Sequence, residues 1–330
     1  MTDDLQHGKR DANGHWKPAE SIRFAPLFSW PPKPLRLIKW FFSTDGYLLP
    51  WNLIYFGIAA AVWYFLTPPL ETLKTLSFKW VALILVRNAG LTFLFYGVLH
   101  FRLFMRKSQG KQFKYNPRWP GSDKRFTFGD QTHDNLFWTF CSGVPIWTAY
   151  ETFALWAFAN GYFPMIAWEG NEVYFVSLML LLPLFREVHF YLVHRLIHLP
   201  ALYRHIHHIH HRNTNPGPWS GLSMHPLEHL PYFSGVLIHF IIPAHPLHAM
   251  FQLIHAGISP GIGGHNGFDK FVVGDKLVDP SSHYHYLHHK YFECNYGGGN
   301  VPLDQWFGTF HDGSDETYRA MRKRLKEHKA

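Results

Sequence analysis

The sequence predicts an all-α, polytopic membrane protein in which four transmembrane helices carry a helical, histidine-rich cytosolic cap. Three observations predict it. Hydrophobic residues make up 47% of the 330 residues and aromatics 18%, whereas charged residues make up only 16%, well below the roughly 25% of an ordinary soluble domain. Long uncharged runs recur through the first half. Histidine is concentrated in the second half: of 25 residues, against 23 aspartates and glutamates combined, 19 lie between His189 and His289. The mean hydropathy of -0.13 averages these two unlike halves.

The elements follow in order. Residues 1–46 form a polar arm; its first residues hold no apolar core of signal-peptide type, so an internal span is expected to direct insertion. Leu48 to Leu66 is an uncharged run of 19 residues, and at 1.5 Å rise per residue about 20 residues cross a bilayer. Trp80 to Phe101 is the second span, interrupted by Arg87. Leu136 to Tyr162 is the third, interrupted by Glu151, and Val173 to about Val193 is the fourth. By helical rise Arg87 and Glu151 sit within roughly 6 Å in depth, so they are expected to pair or line a polar cavity, because an isolated intramembrane charge is costly.

Orientation follows from lysine and arginine. The arm carries seven (Lys9, Arg10, Lys17, Arg23, Lys33, Arg36, Lys39), and the loop 102–135 carries eight (Arg102, Arg106, Lys107, Lys111, Lys114, Arg118, Lys124, Arg125). The first connection has only Lys74 and Lys79, and the third, around Glu169 and Glu172, has none. Cytosolic connections hold the excess, so both termini and the cap are expected in the cytosol. The net charge of +8 is thus accounted for by span flanks, and no basic face with interleaved aromatics suggests nucleic acid. Cys141 and Cys294 form no disulfide framework, consistent with a reducing compartment. Residues 47–193 are then the membrane unit and 194–330 the cap. The cap includes an apolar stretch, 231–258, split by Pro243 and Pro246 into arms too short to span. A shallow hairpin is expected there, because it returns His225 and His265 to one side.

The fourth span ends in HFYLVHRLIHLP. At 100° per residue, His194 and His198 share a helical face, while His189 points about 140° from His194. Pro200 ends that helix and opens the next, where a missing N–H costs nothing. In the next helix, LYRHIHHIHHRN, His207, His210 and His211 fall within about 100° of arc. The same HxxHH spacing recurs as His285, His288 and His289. Neutral imidazole suits iron, zinc, copper and nickel. Eight such ligands exceed what one ion takes, and no CxxC accompanies them as in many structural zinc sites. The pattern predicts two ions. His265 in GGHNGFD is a further candidate, with Asp269 four residues on, and so are His225 and His229 in MHPLEH. His239, His245 and His248 read as packing residues.

At HRLIH, HHIHH and HYLHH the sequence resembles the fatty acid hydroxylase and sterol desaturase superfamily of membrane di-iron oxygenases. The likeness runs from Glu187 to Phe310 through MHPLEH, GGHNGFD and HHKYFECNYGGGNVPLDQWFGTF. The tail is similar to the family's HHxxFxxNYG and D-R-x-x-G-T patterns, with Gln305 in place of the arginine. It leans toward the sterol C5-desaturase or sterol methyl oxidase branch. The resemblance implies two iron ions, with zinc a possible substitute in purified protein. They would be bound by the eight patterned histidines and His265. It also implies dioxygen, a membrane lipid such as a sterol, and a separate electron donor of cytochrome b5 or ferredoxin type. The chain itself shows no GxGxxG fingerprint or iron–sulfur cysteine set. Fatty acyl, alkylglycerol and carotenoid substrates are the alternatives. A bacterial inner membrane and the endoplasmic reticulum fit the membrane reading equally. A metal transporter would carry histidine tracts without helical register, and a zinc hydrolase an HExxH.

Overall fold

The computed structural model describes residues 6–22 and 24–327, so residues 1–5, Arg23 and the last three residues lie outside the description. The chain is mostly helical. Among the described residues the strands are two small antiparallel hairpins, β1 (Gly8–Arg10) with β2 (Trp16–Pro18) and β3 (Phe271–Val273) with β4 (Lys276–Val278). The arm continues into α1 (Pro34–Phe42), none of whose residues is buried and whose Leu35, Ile38 and Phe42 are exposed.

Among the described residues three helices are long and apolar enough to cross a membrane: Leu48–Leu66, Phe78–Met105 and Glu172–Ile197. Their regular parts are α2 (Leu53–Leu66), α3 (Phe78–His100) and, as the expected fourth span, α6 (Glu172–Ile197). The stretch expected as the third of four spans is helical too, as α4 (Gln131–Trp138) and α5 (Val144–Ala159) joined by a wide turn at Thr139–Gly143. It is less apolar because it carries Ser142, Thr148 and Glu151, all buried in the bundle. Arg87 of α3 pairs with Glu151, as the matched depths predict. Asn88 completes the cluster, donating to Glu151 Oε2 at 2.9 Å and accepting from the Arg87 guanidinium at 3.1 Å. Such mutual satisfaction is what makes two charges tolerable in an apolar bundle.

The apolar stretch after the histidine run is a hairpin, but a deep one. It descends through α7 (Pro226–Phe233) and the tight turn of helix Ser234–Phe240, and returns as α8 (Pro246–Ile262). Its tip meets the connection between α5 and α6: Ala244 N–H donates to Pro164 O at 3.0 Å, and the Tyr174 hydroxyl to Pro243 O at 2.8 Å. The tip therefore reaches the end of the bundle remote from the histidines, and the shallow hairpin expected over 231–258 is corrected to one that runs its depth. The prolines that suggested two short arms instead make the turn, and Pro246 opens α8 at its first turn. Once in the bundle α8 becomes its central helix, with every residue buried except His255 and Ser259. Glycine permits the fit: a Cβ at Gly257 would stand 2.6 Å from the Trp147 ring, and one at Gly261 would overlap Tyr96.

Candidate metal centre

Three histidine-bearing helical elements, the end of α6, the run 200–211 and α9 (His283–Tyr291), converge where α6 leaves the bundle, together with His265 from the loop after α8. Pro200 starts the middle run, and its turn at Tyr203–His207 is widened before the chain tightens over His208–His211. Nine imidazoles meet as two adjoining groups. His194, His198, His207, His211 and His288 form one, and His210, His265, His285 and His289 the other. Within each group one ring nitrogen per residue lies within 4.8 Å of every other. The two sets touch, with the His211 and His289 rings 4.9 Å apart.

Helical angles permit the split. In each HxxHH box the first and last histidines (i, i+4) are about 40° apart, and the middle one lies about 60° to the other side of the first. Accordingly His207 and His211 enter the five-membered group while His210 enters the other, and His285 and His289 enter the four-membered group while His288 crosses over. Each box feeds both groups.

Hydrogen bonds at the outer nitrogens aim the inner ones. Nδ1 of His194 donates to Tyr296 O at 2.7 Å, Nδ1 of His288 to Cys294 O at 2.6 Å, and Nδ1 of His207 to Glu228 Oε1 at 2.7 Å. In the other group His210 Nδ1 faces Ser223 O at 3.3 Å and His265 Nδ1 faces Ser220 Oγ at 3.1 Å. A neutral imidazole that donates from Nδ1 presents a lone pair at Nε2. Those lone pairs are crowded together: Nε2 to Nε2 is 3.1 Å for His207–His198, His198–His211 and His211–His288, and 3.0 Å for His265–His285. Hydrogen bonding cannot satisfy that first chain. His207 and His288 have lone pairs at its ends, so His198 and His211 must both donate outward, and then they confront each other. Cations in the two groups resolve the conflict, so the donor sets fit two metal ions.

Electrostatics favour the same state. Burial, then the neighbouring imidazoles, hold His207, His211, His285, His288 and His289 well below the usual histidine range. Burial alone takes His210 down to about 4. The rings are thus unprotonated at neutral pH, as metal ligation requires.

The supporting residues are less conspicuous in the sequence. Glu228 sits in MHPLEH between the two histidines considered there; it is buried, and burial pushes its carboxyl well above the usual range. Asp304 is fully buried and accepts from Tyr296 N–H at 2.9 Å, Gly297 N–H at 2.7 Å and the Tyr284 hydroxyl at 2.8 Å. It thereby fixes the loop whose carbonyls hold His194 and His288.

Three sequence candidates lie outside both groups. His225 is the N-cap of α7, its Nδ1 accepting from Leu227 N–H at 3.2 Å. His229 is buried against Ser142 Oγ at 2.8 Å. Asp269 accepts from Trp16 Nε1 at 3.0 Å and faces the Tyr115 hydroxyl at 3.3 Å, and burial raises its carboxyl to about 6. Gly267, at φ 82°, turns the chain between His265 and Asp269, so their i, i+4 spacing describes a loop and not a helical face.

A cavity lies beside the centre, running between α6, α8 and the start of the first span, with His194, His207, His210, His265 and His285 at one end.

Comparison with known proteins agrees with this architecture. Residues 179–309 match the family model for fatty acid hydroxylase. The chain is 30% identical over 131 residues to a Delta(7)-sterol 5(6)-desaturase of Gibberella zeae, covering 38% of this chain and 39% of that protein. To a Delta(7)-sterol 5(6)-desaturase of Aspergillus fumigatus it is 32% identical over 148 residues, 38% of this chain and 45% of the relative. A fatty acid hydroxylase of Mycosarcoma maydis is 29% identical over 176 residues, 48% of this chain and 43% of the relative. The chain thus spans about two fifths to half the length of these relatives, and no solved structure matches it. The matched segment contains all nine grouped histidines together with Glu228 and Asp304, and over that segment the chain is similar to the fatty acid hydroxylase family and to sterol desaturases.

Proposed function

We propose that the protein is an integral membrane oxygenase that holds two iron ions in the two histidine groups and uses dioxygen to desaturate or hydroxylate a membrane lipid, a sterol in preference to an acyl chain. The observation that supports this reading is the pair of adjoining all-imidazole groups beside a cavity in the helical bundle. Iron bound there supplies redox chemistry able to use dioxygen against an unactivated C–H bond, with neutral ligands leaving the ions' positive charge largely uncompensated.

The chain's own residues do the rest. Glu228, Tyr296 O and Cys294 O hold the imidazoles in the tautomer that offers Nε2. Phe190, Tyr55 and Met224 line the cavity and would flank the hydrocarbon of a substrate taken from the bilayer. The sterol preference comes from the relatives in Gibberella zeae and Aspergillus fumigatus. The acyl alternative comes from the Mycosarcoma maydis hydroxylase.

In the topology we propose, α4 and α5 complete four membrane arms. The basic arm, the loop 102–135, both termini and the metal centre face the cytosol of an endoplasmic reticulum or bacterial inner membrane, where a separate cytochrome b5-like or ferredoxin-type donor docks. Iron-loaded protein supplied with a reduced donor, labelled dioxygen and extracted lipids tests the reading by mass spectrometry. Gain of one labelled oxygen means hydroxylation, and loss of two hydrogens means desaturation. An iron-loaded, reducible centre that alters no lipid would refute it.

A further inference from the structure

Besides the grouped histidines, the cavity is lined by Arg186, His255 and Ser259, and nothing in the metal centre accounts for these three. Arg186 lies eight residues before His194 on α6, about 12 Å of helical rise below it. A guanidinium offers five N–H donors and no acceptor. Among the described residues only the Tyr232 hydroxyl receives one of them, at 3.1 Å, and that hydroxyl is itself committed to Ala256 O at 2.8 Å. The Phe190 ring lies 5.9 Å from the guanidinium carbon. No carboxylate among the described residues forms an ion pair with Arg186. The adjacent Glu187 is bound instead to Asn300 N–H at 2.9 Å and Val301 N–H at 3.1 Å. The contrast with Arg87 is sharp, because that arginine, in the same bundle, has its glutamate.

Opposite stands His255, on α8. It and Ser259, one turn on, are the two residues of that helix that are not buried, and both line the cavity with Arg186. The His255 ring is held edge-on by Tyr55 at 4.8 Å and stacked on Phe251 at 5.9 Å. Neither of its nitrogens has a hydrogen-bond partner among the described residues. A helix otherwise sealed in the core thus turns two polar side chains toward an unpaired cation.

We propose that Arg186, His255 and Ser259 form the headgroup end of the cavity and bind the anionic oxygen group of an amphipathic lipid, a carboxylate or sulfate, leaving its hydrocarbon to reach the histidines. The inference rests on the reading of this cavity as the lipid site. Charge decides for an anion over a neutral hydroxyl: a guanidinium in an apolar bundle without a counter-ion is costly, and a bound anion removes that cost. The same geometry places the reacting carbon about 12 Å of helical rise from the headgroup.

Binding to full-length, zinc-loaded protein in detergent tests this independently of oxidation, because zinc is redox-inert. The probes are tritiated cholesteryl sulfate, cholesterol and cholestane, which share a ring system. Wild type is expected to bind the sulfate about ten- to a hundredfold more tightly than cholesterol, the worth of charge-assisted hydrogen bonding. Arg186→Met should bring the sulfate to the level of cholestane and leave cholestane unchanged, and His255→Phe should fall between. Should Arg186→Met not fold, by zinc content and melting, the order of the three ligands on wild type still decides. Cholesterol bound as tightly as the sulfate, none of the three bound, or a sulfate preference kept in Arg186→Met would overturn the proposal. If the wild-type order holds while iron-loaded protein oxidises nothing, the headgroup site stands and the oxygenase reading falls.

Discussion

Replacing Glu228 should loosen one of the two bound ions and spare the other. The carboxyl contacts His207 Nδ1 at 2.7 Å, both side chains are almost fully buried, and the second oxygen of Glu228 has no partner among the described residues. Its whole hydrogen-bonding capacity is therefore spent on one imidazole of the five-histidine group. Partners of this kind are worth roughly 10- to 100-fold in metal affinity, or about 1.4–2.8 kcal/mol. Glu228→Gln keeps an acceptor for Nδ1–H, so its effect belongs at the lower end. Glu228→Ala leaves a buried N–H unsatisfied and belongs at the upper end. The assay is a chelator titration of metal-loaded protein with the metal remaining per chain measured by elemental mass spectrometry. The variants should show a two-step loss, one ion leaving at roughly ten- to a hundredfold lower chelator and the other at the wild-type concentration. His289→Ala, from the four-histidine group, should weaken the other ion. Loss of both ions together in Glu228→Ala, or loss at the wild-type concentration, would show that the carboxylate does not support a separate five-histidine site.

Asp304→Ala should likewise weaken the five-histidine group, because Asp304 holds the loop whose carbonyls orient His194 and His288; unchanged retention of both ions would refute the link. Neutralising either Arg87 or Glu151 alone should destabilise the protein by about 3–5 kcal/mol by leaving a buried charge uncompensated, and the double replacement should cost less than the sum. Equal melting temperatures for both singles and the double would end the pairing argument. Gly257→Ala should cost about 1–3 kcal/mol as its Cβ meets Trp147, and a melting temperature equal to wild type would show that the ring gives way. Asp269, raised from 3.8 to about 6, binds its proton more tightly folded than unfolded. Its ionisation therefore costs stability above about pH 6, and that cost is recovered as pH falls toward 4, with a total of roughly 3 kcal/mol. Asp269→Asn should lose this part of the pH dependence in thermal melts, and an unchanged slope would assign it elsewhere.

Much of the centre is legible without a fold because helical geometry is local. The spacing of His194 and His198, and of the two HxxHH boxes, puts imidazoles on common faces whatever packs against them, and these eight residues meet in the structure. The depth rule likewise brings Arg87 to Glu151, since rise per residue is the same in every helix. Spacing misleads where the backbone leaves the helix. His225 has extended angles, φ -65° and ψ 146°, as the cap before Pro226, so its i, i+4 relation to His229 is no shared face. The glycine turn at Gly267 does the same to His265 and Asp269.

By itself, then, the sequence determined which side of each helix carries histidine and, for three of the four expected spans, that the segment is apolar enough for a bilayer, because these depend on residues within a few turns of one another. Only the tertiary structure decided how nine imidazoles divide between two groups, since the roughly 100° arc of each HxxHH box can face one ion or two until another helix is set against it. It also decided that Glu228 and Asp304, each an unremarkable acid in the sequence, stand behind the ligands, and that α8 penetrates the full depth of the bundle. Those outcomes depend on contacts between segments far apart in the chain, where close packing of rings, glycines and buried hydrogen bonds admits one arrangement and local periodicity carries no record of it.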